Sequence, residues 1–163
     1  MKKALSNILV FLLVAVVGAY GIAFAMGIHP FIVKSGSMEP VIHTGSLCFV
    51  DTKVSFDEVK EGDIIAFETS LGDFVTHRAI TVEDDAIETK GDANDVSDGF
   101  STTRENYIGI NKFSIPLLGY AAAYMQQPAG KAMVGVVILA LIAFWVIDAI
   151  DDRKKKKEQE QAE

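Results

Sequence analysis

The chain has one cysteine, Cys48, so it can form no internal disulfide. A domain outside the cytoplasm would then depend on its core and its anchors. Cys48 lies in the apolar run Leu47-Cys48-Phe49-Val50 and reads as a buried filler. Histidines are also few: His29, His43 and His77 are the only side chains whose ordinary charge change lies near neutral pH. Charge is missing altogether from Ala4 to Ile28 and again from Ala132 to Ile147. Positive charge is scarce between them: from His29 to Gly130 there are 7 Lys and Arg against 16 Asp and Glu, a balance of −9. Such a surface is not drawn to nucleic acid and is poorly suited to lie flat on anionic lipid. No internal repeat or low-complexity linker is visible.

The uncharged runs are what the sequence has in place of a large soluble core. The first is long enough for a bilayer, which takes about 20 residues. The second is slightly short, but Lys131 can snorkel and Trp145 suits an interface. A competing reading of the first run is a secretory signal. Lys2 and Lys3 precede it and Ala23-Phe24-Ala25 has a small-x-small pattern, yet the run exceeds an ordinary signal core. Lys2 and Lys3 before one span, and Arg153 with Lys154 to Lys157 after the other, predict both ends in the cytoplasm. The expected organisation is a cytoplasmic end and span over 1–28, an extracytoplasmic domain over 29–130, a second span over 131–149 and a charged cytoplasmic tail over 150–163. Glu158 to Glu163 suggest that the tail ends in disorder.

The middle region reads as short strands: Ser46 to Asp51, Asp63 to Glu68, Phe74 to Val82, Ala86 to Lys90 and Tyr107 to Phe113. Gly45, Glu61-Gly62, Leu71-Gly72-Asp73 and Gly91-Asp92 punctuate them. Ser55 to Lys60 suits a helical turn, and Gly119 to Gln127 a helical lead-in to the second span. Several short strands at turn-marked intervals predict a mainly β protein, a small antiparallel domain between two membrane helices.

The segment Ser35-Gly36-Ser37-Met38-Glu39-Pro40 follows the first span closely. A serine hydroxyl is a weak nucleophile until a base takes its proton. Gly36 permits a tight backbone beside Ser37, and Ser35 could add a hydroxyl donor; the bland alternative is a Ser-Gly turn. Among the possible bases, His29 lies at the expected membrane edge, where it would cap the span, and His43 lies in a turn. His77 lies in a β-like stretch, a stiffer platform, although a lone strand histidine is more often structural. Lys90 to Gly99 offers Asp92, Asp95 and Asp98. A calcium loop counted from Asp92 fails, because Ser97 and Thr103 stand where Gly and Glu are needed. An acidic turn remains as the structural alternative.

In order along the chain, Ser35 to Pro40, Gly62-Asp63-Ile64-Ile65-Ala66-Phe67, His77-Arg78, and Lys90-Gly91-Asp92-Ala93-Asn94 with Asp98 resemble type I signal peptidase. The common bacterial form has a lysine base before the arginine. Here His77 stands in that position, which resembles the endoplasmic-reticulum-type branch of eukaryotes, archaea and some Gram-positive bacteria. The resemblance implies a multi-pass membrane serine endopeptidase that removes signal peptides from exported preproteins at the extracytoplasmic face of the cell membrane. By it, Ser37 is the nucleophile, His77 the general base, Asp98 the acid that orients His77 and Asp92 a second required acid. Ser35 and the Ser37 N–H would form the oxyanion hole. Ile32, Val33, Met38 and Phe67 are candidates to line shallow pockets for small substrate residues, or are simply core. Ala93, where the family often has Asn, and Ala79-Ile80 after the arginine are mild departures. No metal or organic cofactor is implied. The implied partners are signal-bearing preproteins and the lipid bilayer, with room for association with the secretion translocon. The alternative from another class is a non-catalytic anchored β domain that binds exported chains. It predicts Ser37, His77 and Asp98 far apart. A soluble self-cleaving repressor type would use a lysine base, and the two spans argue against it.

Overall fold

The computed structural model describes the backbone of residues 2–160 and the side chains of residues 7–150 and 153. Helix α1 spans Lys2–Ala25, followed by strands β1 (Ile28–Ile32), β2 (Leu47–Asp51), β3 (Ile64–Glu68), β4 (Phe74–Val82), β5 (Ile87–Lys90), β6 (Ser101–Thr102) and β7 (Tyr107–Ile115). A single 3-10 turn, Phe56–Glu58, lies between β2 and β3, and helices α2 (Leu118–Gln126) and α3 (Pro128–Glu160) close the chain. The strands form one sheet in the order β1-β2-β7-β3-β4-β5-β6, and every pairing is antiparallel. The chain divides into two compact units, Met1–Ala19 with Tyr124–Glu163, and Tyr20–Ala123.

The sheet is covered on both faces, which explains why its central strand is an unbroken apolar run. Successive side chains of a strand point to opposite faces. On β3, Ile65 and Phe67 join Phe56, Val59, Ala79 and Ile87 in one cluster. Ala66 joins Met38, Ile42, Cys48 and Val50 in the other, with Ile64 packed beside it. Cys48 is fully buried, and loss of water around the thiol pushes its pKa up to about 11, so at neutral pH it is protonated filler. Burial, with Asp63, Asp51 and Glu58 nearby, pushes Tyr107 up to about 12.

Two helical stretches, Asn7–Ala25 and Pro128–Ile150, are long and apolar enough to cross a membrane. Helix α3 does not stop at the basic run but continues to Glu160, where the sequence suggested a disordered end. Lys, Glu and Gln are good helix formers, and no Gly or Pro interrupts them. Residues 161–163 lie outside the described residues.

Gly27, at φ 88°, ends α1, and β1 begins at the next residue. The carbonyl of Ala25 accepts a hydrogen bond from Lys53 Nζ at 2.8 Å, and that of Gly27 accepts from Thr52 N and Oγ1. Lys53, rather than His29, therefore caps the helix end. His29 pairs with Val50 in the sheet and packs edge-on against Phe24 at 4.6 Å.

Candidate active site

Ser37 sits at the start of a turn closed by the Glu39 N–H on Gly36 O and the Ile42 N–H on Met38 O. Met38, 1% exposed, pins the turn into the second cluster. The turn is held from the other side by the segment after β5. Ala93 N–H donates to Ser37 O at 2.8 Å. A Cβ placed on Gly91 would stand 2.6 Å from that same oxygen and 3.0 Å from Ser37 Cβ, so only glycine lets the two segments approach this closely. The contact also explains why Ala93 is tolerated: it supplies a backbone N–H, which any residue but proline could give.

His77 is carried by β4, paired with Ile65 of β3. It is 8% exposed, with the Phe67 ring edge-on at 6.2 Å. Its Nδ1 lies 2.7 Å from Asp98 Oδ2, and its Nε2 lies 2.9 Å from Ser37 Oγ. An ionised carboxylate can only accept, so Nδ1 carries the ring proton and the Nε2 lone pair accepts from the serine hydroxyl. The Asp98 N–H donates to Thr89 O at 2.9 Å, and the Thr89 hydroxyl donates to Oδ2 at 2.5 Å.

The next residue points away. Strand alternation sends Arg78 to the other face, where Nε and Nη2 clamp Asp92 at 2.8 and 2.6 Å and Nη1 reaches Gly62 O at 2.7 Å. The carboxylate pushes the guanidinium pKa up, and this two-point pairing is the strong, geometrically defined kind. Asp92 thus fixes the turn that follows β5 and makes no hydrogen bond to His77 or Ser37. Ser35 Oγ lies 3.3 Å from Ser37 Oγ, and among the described residues the Ser37 N–H donates no hydrogen bond. His43 is exposed and bonds to neither serine.

Beside Ser37 runs a cleft of about 80 Å³. Ile32, Val33 and Met38 line it as expected; Phe67 does not. The period of β3 gives the cleft Ala66 and turns Phe67 into the opposite cluster against His77. Phe31, Phe74 and Val75 complete the apolar wall. Sequence reasoning passed over these and Thr89, although strand alternation from Phe67 would have pointed to Ala66. Among the described residues no cluster of His, Cys, Asp and Glu could hold a metal ion.

The arrangement can activate a hydroxyl: base on one side, orienting acid behind it and an apolar cleft alongside. Comparison with known proteins points to the same chemistry. The profile of the family described as signal peptidase, peptidase S26, matches residues 5–132. Signal peptidase I W of Bacillus subtilis (strain 168) is 41% identical over 78 residues, 45% of this chain and 41% of that protein. The signal peptidase complex catalytic subunit SEC11C of Homo sapiens is 40% identical over 109 residues, 59% of this chain and 56% of that one. The signal peptidase complex catalytic subunit SEC11 of Eremothecium gossypii (strain ATCC 10895 / CBS 109.51 / FGSC 9923 / NRRL Y-1056) is 28% identical over 125 residues, 67% of this chain and 74% of its own. The chain spans about half the length of the first two relatives. Since the matched region takes in most of the chain and all of Ser37, His77, Asp92 and Asp98, the chain belongs to the signal peptidase, peptidase S26, family.

Proposed function

We propose that this protein is a membrane serine endopeptidase that cleaves signal peptides from exported preproteins, with Ser37, His77 and Asp98 as its catalytic machinery. The observation that carries the reading is the unbroken line from Ser37 Oγ through the His77 ring to Asp98 Oδ2, at 2.9 and 2.7 Å. A non-catalytic β domain has no need of it.

In the proposed reaction, His77 Nε2 takes the Ser37 proton as Oγ attacks the scissile carbonyl carbon. The oxyanion of the tetrahedral intermediate faces the Ser37 N–H and the Ser35 hydroxyl. His77 returns the proton to the leaving amine as the C–N bond breaks, leaving the signal peptide esterified to Ser37. Water then gives a proton to His77 as its oxygen attacks the ester carbonyl, and His77 passes that proton to Ser37 Oγ as the C–O bond breaks, releasing the peptide acid and free Ser37. Asp98 holds the ring in the tautomer this requires. A cleft of about 80 Å³ suits small apolar side chains before the scissile bond. Both apolar helices support a place in the cell membrane with the β domain outside, since Lys2, Lys3 and Arg153 to Lys157 flank them. Relatives named as catalytic subunits of a signal peptidase complex make an association with the secretion machinery part of the proposal.

The test is cleavage of a model preprotein in detergent. Ser37→Ala and His77→Ala are expected to abolish processing, and His77→Lys not to restore it. If His77→Ala keeps most of the activity, the assignment is wrong.

A further inference from the structure

Asp98 is held at two points, its backbone N–H and its carboxylate, by one residue of β5. Thr89 is 0% exposed. Its carbonyl accepts the Asp98 N–H at 2.9 Å, and its hydroxyl donates to Asp98 Oδ2 at 2.5 Å. That oxygen is the one that accepts His77 Nδ1–H. The sheet puts Thr89 there for a reason of register. It pairs with Ala79, two residues beyond His77 on β4, so its side chain shares the face that carries His77 and Ala79. Ile87, two residues before it, is packed in the apolar cluster of that same face. A buried hydroxyl on such a face needs a partner, and the partner it has is the catalytic acid.

We propose that Thr89 is a positioning residue for the catalytic hydrogen-bond line. It fixes the Asp98 carboxylate in the one orientation that meets His77, and by sharing Oδ2 it sets how strongly that oxygen binds the ring N–H. Asp98 lies in a loop, outside any strand, and Thr89 ties it to the rigid sheet. The inference rests on the assignment of Ser37, His77 and Asp98 above.

The test uses the full chain in detergent as wild type, Thr89→Val and Thr89→Ser. Valine keeps the shape and loses the hydroxyl; serine keeps the hydroxyl. Thr89→Val is expected to lower kcat by about 10- to 100-fold with KM little changed, as loss of a hydrogen bond to a charged group implies. It is also expected to displace the downfield proton resonance of the His77 Nδ1–H. Thr89→Ser restores both. In an Asp98→Ala background the same valine substitution should cost nothing further, because its effect travels through the carboxylate. Equal losses in the valine and serine variants, an unmoved resonance, or full additivity with Asp98→Ala overturns the inference. Should Thr89→Val fail to fold, Thr89→Ala against Thr89→Ser gives the same comparison. A wild type that does not cleave, or a Ser37→Ala variant that does, defeats the catalytic assignment instead, and the resonance still reports on Thr89.

Discussion

At the scale of single residues, Ser37 is placed by contacts that leave no slack. Ser37 O is bonded by Ala93 N–H, and Gly91 lies flat against the same peptide. The atom a Cβ on Gly91 would strike is backbone, not the end of a flexible side chain. Gly91→Ala must therefore push the Ser37 turn away from the β5 turn. A displacement near 1 Å at the reacting atoms can cost about 100-fold in rate. We expect Gly91→Ala to insert and fold, to lose about that factor in kcat for preprotein cleavage, and to keep KM within a few-fold. Wild-type kcat in this variant would show that the contact does not set the position of Ser37. This position illustrates how partial a sequence reading of the site is. His77 stood out because histidine is scarce in the chain, and Ser37 and Asp98 because the ordered motifs around them resemble those of a known family. That Gly91 and Thr89 bear on them depends on contacts between segments about fifty and nine residues apart, which no local pattern encodes.

At the scale of elements, β3 and β4 carry the site by alternation. Phe67 is fully buried and meets His77 at 6.2 Å and Phe100 at 5.9 Å. Removing its ring leaves a cavity beside His77. Phe67→Ala is expected to cost about 3–5 kcal/mol, read as a lowered midpoint of thermal or denaturant unfolding in detergent, and to reduce cleavage with it. Leu71, 88% exposed in the β3–β4 turn, serves as the control: Leu71→Ala should stay within about 0.5 kcal/mol. Equal destabilisation by the two would contradict the two-cluster core. The elements legible in advance were those with a clear period or turn. Strand β4 was read at its observed limits, and β2, β3 and β5 within a residue. Strand β7 runs two residues past its expected end because Ile115 still pairs with Leu47. Strand β1 was hidden, since Ile28 to Ile32 looks like the end of the apolar run and Pro30 argues against a strand. It survives as an edge strand, where a missing N–H can face outward. Strand β6, two residues long, is too short to show any period.

At the scale of the molecule, the distribution of charge separates two jobs. The uncharged runs Ala4 to Ile28 and Ala132 to Ile147 are flanked by Lys and Arg, while the middle region carries −9. Both apolar clusters and the whole hydrogen-bonded line fall within Tyr20–Ala123. The helical unit contributes no residue to that line, so its part in the proposed function is to share a bilayer with the substrate. Confining two reactants to one membrane raises their effective concentration and can strengthen an encounter by about 100-fold or more without a new contact. The prediction compares the full chain with the fragment Tyr20–Ala123 on two substrates. On a short soluble peptide in detergent, the two should differ by only a few-fold in kcat/KM. On a preprotein whose signal helix is embedded in vesicles, the fragment should fall behind by about 100-fold. An equal ratio on both substrates would mean that the helices act on the catalytic unit itself and not through the shared bilayer.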